Sequence, residues 1–164
     1  MDSHLAHVTN SALNKKNIFR GNDCYMCSVV SNIQSGKNAN LIKEFSTGFA
    51  VLFEYQFYKG YTLFISKEHA TELHLLKPAR KAKFLEEMSV VAEAVFNAFK
   101  PAKLNYELLG NAVPHLHWHI IPRYKNESWK GPVWILDEKI RQSEKTKPAI
   151  KKITAFKKAI LKYL

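Results

Sequence analysis

The chain has 164 residues, 46% hydrophobic and 12% aromatic, which suits one packed domain with a real core and excludes a disordered chain. No apolar run approaches the roughly 20 residues needed to cross a bilayer, and the opening residues lack a charged stretch followed by an apolar one, so neither a membrane span nor a secretory signal is expected. The formal charge of +11 points to a polyanionic substrate or partner, without choosing among nucleotide, nucleic acid and an acidic surface.

Residues 32–40, "NIQSGKNAN", are rich in turn formers and read as a loop. "NLIKEF" (40–45) and "GFAVLFEY" (48–55) predict two strands around a Ser46-Thr47-Gly48 turn, and "YTLFIS" (61–66) a third. Residues 78–100 predict a long helix, with Pro78 in its first turn and apolar residues from Phe84 to Phe99 recurring at three and four. "KLNYELLG" (103–110) and 114–121 predict two further strands. The tail 148–164 predicts an amphipathic helix with Ile150, Ile153, Phe156, Ile160 and Tyr163 on one side and lysines on the other. This order of elements predicts an α+β fold with an antiparallel sheet. Residues 137–164 hold nine Lys/Arg against three acids, so the body that precedes them is only mildly basic. The plain reading of this tail is a helix packing on the body or across a dimer, its lysines solvated; nucleic-acid binding is not expected.

Within "VPHLHWHIIPRY" (113–124), His115, His117 and His119 occupy every second position. On a strand these three share one face, while Leu116, Trp118 and Ile120 form the opposite, core-facing side. Neighbouring histidines are then about 6.6 Å apart, close enough for two to converge on one metal ion or one phosphate. Neither Ser nor Cys lies beside the triplet for His117 to activate. "LLGNAVP" before it supplies Gly110, for close backbone approach, and Asn111, an amide donor; Asn105 adds a polar side chain on the preceding strand. The result is a phosphate-sized set of neutral donors beside imidazoles, which can act as ligand, acid, base or nucleophile.

His115-Leu-His117-Trp-His119-Ile-Ile resembles the signature of the histidine triad (HIT) superfamily, and the chain is most similar to its bacterial diadenosine tetraphosphate hydrolase-like branch. "GYTLFISKEHATELHLL" is similar to the family's strand and loop ending in Pro-Lys-x-His, and "CYMCSVV" to its N-terminal Cys-x-x-Cys segment. The resemblance covers about residues 24–124. It implies a single HIT-like domain over 1–164, with a core near 18–125 and a C-terminal extension, 126–164.

The resemblance implies that His117 attacks the α-phosphorus of a nucleotide, forming a nucleotidyl-histidine that water hydrolyses. One ring nitrogen of His117 would be oriented by the carbonyl of the first histidine. His119 would hydrogen-bond the phosphate or leaving group, Asn111 would stand where the family has Gln, and Asn105 would touch the ribose-phosphate. Glu54 is the nearest match to the ribose-binding acid, one position off. Ala112 replaces a hydroxyl residue and Ser66 a proline, departures that bear on substrate rather than on reaction type. An adenosine polyphosphate or related nucleoside phosphate is the implied substrate, in the cytoplasm.

Taken alone, Cys24-x-x-Cys27 is equally a redox pair, a zinc half-site or a coincidence. The resemblance favours a structural zinc held by Cys24, Cys27, His69 and His115, a closed tetrahedral set. His74 reads as an exposed helix residue, and His4 and His7 as lying outside the core. Two other functions compete: a metallohydrolase with catalytic zinc on two triplet histidines, and a nucleotide-binding regulatory protein with incidental turnover. A twofold homodimer is implied by the family and by the broad apolar surface of the long helix.

Overall fold

The protein is described by a computed structural model covering residues 24–127, 130–133, 137–141 and 143–164. His4, His7, residues 18–23 of the expected core and parts of 128–136 lie outside the described residues. Strands β1 (Leu41–Glu44), β2 (Gly48–Leu52), β3 (Thr62–Ser66), β4 (Lys103–Glu107) and β5 (His117–Arg123) form one antiparallel sheet in the order β1-β2-β3-β5-β4. Helices α1 (Tyr25–Gln34), α2 (Pro78–Phe99), α3 (Glu138–Arg141) and α4 (Ile150–Leu161) complete an α+β fold.

Every residue of β2 and β3 is buried, because this sheet is covered on both faces, as its uninterrupted apolar runs require. On one face Ala50, Leu52, Phe64 and Ile120 pack with Phe84, Val91 and Val95 of α2 and with Phe156 and Ile160 of α4. Phe64 and Phe84 stack with ring centroids 5.1 Å apart. On the other face Phe49, Val51, Leu63, Ile65 and Ile121 meet Met26, Val30 and Ile33 of α1. The sequence reading leaves α1 unassigned. Its three inward residues, spaced four and three apart, are the signal that was there to find.

Strand ends differ from expectation for local reasons. β2 stops at Leu52 rather than near 55, because the chain turns back through Gly60. Gly60 has φ of +86°, and a Cβ there would sit 2.3 Å from the Phe99 ring, so no larger residue fits. β5 begins at His117 rather than 114: the Leu116 amide donates to Ala70 O, and Leu116 O accepts from the Ser66 amide. At its other end β5 runs on to Arg123, and Pro122 lies beyond the last pair with β3, Thr62–Ile120.

The buried carboxylate of Glu87 on α2 accepts from the Ser46 and Thr47 amides and from the Thr47 hydroxyl, tying the β1–β2 turn to the helix. α4 docks through Ile153, Phe156 and Ile160, with Phe156 edge-on to Phe99 at 5.3 Å. Ile150 and Tyr163 are exposed, which narrows the expected apolar stripe: they sit at the first position and beyond the last turn of α4. No helix among the described residues is long and apolar enough to cross a membrane.

Candidate active site

The histidine run crosses the sheet where α1 and the C-terminal extension meet it. His117 and His119 face Ile65 and Leu63 across β3, on the α1 side, while Leu116, Trp118 and Ile120 belong to the α2 side. The alternation does put the two kinds of residue on opposite faces, as a strand's period of two dictates.

His115 lies just before the strand and is fully buried. Its Nε2–H donates to the Ser66 carbonyl at 2.9 Å, which leaves Nδ1 as a lone pair directed at Cys24 Sγ (3.7 Å) and Cys27 Sγ (3.6 Å). Cys27 Sγ is 3.3 Å from His69 Nδ1. Ligand atoms of Cys24, Cys27, His69 and His115 all lie within 4.8 Å of one another. A tetrahedral ion with bonds of about 2.0–2.3 Å sets its ligand atoms about 3.3–3.8 Å apart, so these three sulfur–nitrogen spacings fit it, and wider pairs would close by at most about 1 Å. Burial, then the hydrogen bond and charge of Cys24, push the Cys27 thiol up to about 11; a dication would reverse that by favouring the thiolate. With both nitrogens of His115 engaged in this way, none is left to share a catalytic metal with His117.

His117 donates Nδ1–H to the His115 carbonyl at 2.6 Å. A carbonyl only accepts, so the proton is fixed on Nδ1 and Nε2 is a free lone pair. Burial lowers the His117 pKa, with the His115 carbonyl pulling the other way. The ring is therefore neutral at physiological pH. The His119 ring centroid is 4.8 Å away, and burial, then the nearby His117, lower its pKa to about 3. Its Nδ1 is 2.6 Å from the Tyr61 hydroxyl. Burial, followed by the charge of Glu107, raises the Tyr61 pKa, so the phenol keeps its proton.

Two cavities lie on this side of the sheet, the smaller against His119. One of about 270 Å³ lies between α1 and the sheet, lined by Tyr25, Met26, Val29, Asn38, Asn40, Phe53, Glu54, Leu63 and Ile65 among others. A smaller one of about 120 Å³ lies at His119, lined by Phe53, Phe57, Tyr61, Glu107, Leu109, Val133 and Arg141. Phe53 is common to both.

The other candidate residues are spread around this centre. Glu54 is on the rim of the larger cavity, its carboxylate 2.9 Å from Lys147 Nζ. Gly110 and Asn111 line a separate 370 Å³ surface cavity with Thr71, Glu72, Leu109 and Pro114. Gly110 has φ of +74°, the left-handed region that glycine tolerates. Asn105 shares the triad's sheet face through its register with Ile121, but its Oδ1 accepts from Arg123 Nη1 in a 580 Å³ cleft at the sheet edge. Tyr61, Phe53, Glu107 and Arg141 escaped the sequence reading. Tyr61 and Glu107 are cross-strand neighbours of the triad, which only the pairing of β3, β4 and β5 shows. Ser66 provides a further contact: its N–H donates to Leu116 O at 2.9 Å, a bond that a proline at this position could not make.

Residues 34–126 match the family model described as HIT domain. The protein named "Protein hit" from Bacillus subtilis (strain 168) is 30% identical over 118 residues, 68% of this chain and 79% of that protein. "Adenosine 5'-monophosphoramidase hnt1" of Schizosaccharomyces pombe is 34% identical over 83 residues, 46% of this chain and 58% of that protein. Among solved structures, the histidine triad protein blr8122 from Bradyrhizobium japonicum superposes with a TM-score of 0.66 at 26% identity, covering 75% of this chain and 88% of that one.

Proposed function

This chain belongs to the HIT domain family, and on that premise we propose that it is a nucleotide hydrolase or nucleotidyl transferase working through His117. The observation that supports this most is the 2.6 Å bond from His117 Nδ1–H to the His115 carbonyl, which leaves a neutral, buried Nε2 as the nucleophile. Nε2 attacks the α-phosphorus, the Nε2–P bond forms, and the bond to the leaving group breaks with its electron pair. Positive charge developing on the imidazole is shared with the His115 carbonyl through Nδ1–H. With the Tyr61 hydroxyl donating to His119 Nδ1, Nε2 of His119 carries a proton and donates to the phosphate or leaving-group oxygen. Water then displaces His117 from phosphorus. The larger cavity, beside Leu63 and Ile65, suits the nucleoside, with Glu54 at its rim for ribose; Gly110, Asn111 and Asn105, which line other cavities, are left without a role in this reading.

The substrate class within this reading is an adenosine phosphoramidate or polyphosphate. The S. pombe relative is named a phosphoramidase of adenosine 5'-monophosphate, which favours the nitrogen-linked bond. The Cys24, Cys27, His69 and His115 set would hold a structural zinc that fixes the turn leading into His117, in a reducing, cytoplasmic setting where both thiols persist. A homodimer belongs to the same reading: the open edge of β4 carries exposed Tyr106 beside exposed Phe96 of α2. Light scattering would then give twice 18.9 kDa.

The test is His117→Ala against His119→Ala with an adenosine phosphoramidate, and mass detection of the nucleotidyl adduct. His117→Ala should lose both turnover and adduct with its circular dichroism unchanged, and His119→Ala should slow turnover less. Unaltered turnover in His117→Ala would end this mechanism.

A further inference from the structure

The turn between α1 and β1 contributes two carboxamides to the wall of the larger cavity. Asn38 and Asn40, both half-buried, stand there among the apolar side chains of Met26, Val29, Leu63 and Ile65. Three bonds hold this turn in place. The Asn40 amide donates to Asn38 Oδ1 at 2.9 Å. Asn40 O accepts from the Leu52 amide of β2 at 2.9 Å, and Ala39 O accepts from Lys157 Nζ of α4 at 2.8 Å. Both backbone polar groups of Asn40 are thus engaged, while its side-chain carboxamide has no partner among the described residues. An anchored backbone carrying an unpaired amide in a largely apolar cavity is how small-molecule sites fix the orientation of a ligand.

We infer that Asn40 is a specificity-determining residue that reads the nucleobase, and that the base it selects is a 6-aminopurine. This rests on the placement of the nucleoside in that cavity in the reading above. A carboxamide offers an acceptor and a donor side by side in one plane. The N6–H of a 6-aminopurine donates to Oδ1, and Nδ2–H donates to N7, the bidentate pairing that asparagine makes with adenine. A 6-oxopurine presents two acceptors at the same edge and sets O6 against Oδ1. The apolar walls take any planar base alike, and Asn40 supplies the polarity that tells one from another. Asn38 is committed to the turn through its Oδ1, and Glu54 is paired with Lys147 at the rim. Apolar surroundings strengthen the hydrogen bonds of Asn40 over their value in water.

The experiment measures, by calorimetry, the binding of the 5'-monophosphates of adenosine, inosine and 7-deazaadenosine to wild type and Asn40→Ala. Turnover of the adenosine and inosine phosphoramidates is followed beside it. Wild type should bind the adenosine nucleotide about tenfold more tightly than the inosine nucleotide, with the 7-deaza nucleotide, which keeps one of the two bonds, in between. Asn40→Ala should erase these differences by weakening the adenosine nucleotide most. Melting curves establish folding, and Asn40→Ser replaces Asn40→Ala if the latter does not fold. Equal binding of the three by wild type, a preference for the inosine nucleotide, or an adenosine preference that persists in the variant overturns the assignment, whatever the turnover. Failure of wild type to bind any of them overturns it together with the placement of the nucleoside. Selective binding without turnover leaves the assignment standing and overturns the hydrolase reading instead.

Discussion

Tyr61, just before β3, holds its hydroxyl 2.6 Å from Nδ1 of His119 on the neighbouring strand. The contact selects which nitrogen of His119 carries the proton, a choice the ring cannot make alone. Tyr61→Phe should therefore lower kcat by about tenfold, or about 1.4 kcal/mol of barrier, with KM little changed and the adduct on His117 still formed. Equal activity in Tyr61→Phe and wild type would show that His119 needs no orienting partner.

Burial sets a pH signature. His119 has its folded pKa lowered to about 3, against about 6.5 in an unfolded chain. Between those values the unfolded chain binds more protons, so stability falls as pH drops from about 6.5 towards 3 and suffers no penalty above 6.5. Urea midpoints at pH 7 and pH 4.5 should fall further for wild type than for His119→Asn, which does not titrate. Parallel losses in the two proteins would remove His119 as the source.

Metal content is checked directly. Protein purified without chelator should carry one zinc per chain by elemental analysis. Chelation or Cys27→Ser should lower the melting temperature, because the ion binds only the folded arrangement of ligands. A metal-free protein with an unchanged melting curve would refute this.

Glu87 offers a test remote from the chemistry. Glu87→Ala leaves the Ser46 and Thr47 amides and the Thr47 hydroxyl without their acceptor, and should cost about 3 kcal/mol of stability. Denaturant unfolding would reveal it, with activity retained wherever the variant is folded. A cost below about 0.5 kcal/mol would mean that water replaces the carboxylate.

Much of the sheet was legible because its strands state their burial plainly. "GFAVL" and "TLFIS" read as strands from short, turn-bounded apolar runs, and their burial on both faces follows from the structure, while α2 repeats its apolar positions over 22 residues. The triplet was legible for the same reason, since alternation sorts His117 and His119 from Trp118 and Ile120 without any knowledge of the partner strands. α1 was not: ten residues with three inward positions, and a Cys24 N-cap whose side chain makes no capping bond, give little to count. Tyr61, Glu107 and Arg141 were hidden for a different reason. Each acquires its place through register or docking over long stretches of sequence, and no local pattern encodes that a residue at 141 closes a cavity at 119.

The first turn of α1 serves two masters. Tyr25, Met26 and Val29 wall the larger cavity, and Cys24 and Cys27 in the same stretch reach toward His69 and His115. A cation at the sulfurs and a nucleoside in the cavity would therefore act on one piece of backbone. Were both bound, linkage would run both ways: occupancy of the metal site would tighten nucleotide binding, and bound nucleotide would tighten metal binding, by the same equilibrium factor.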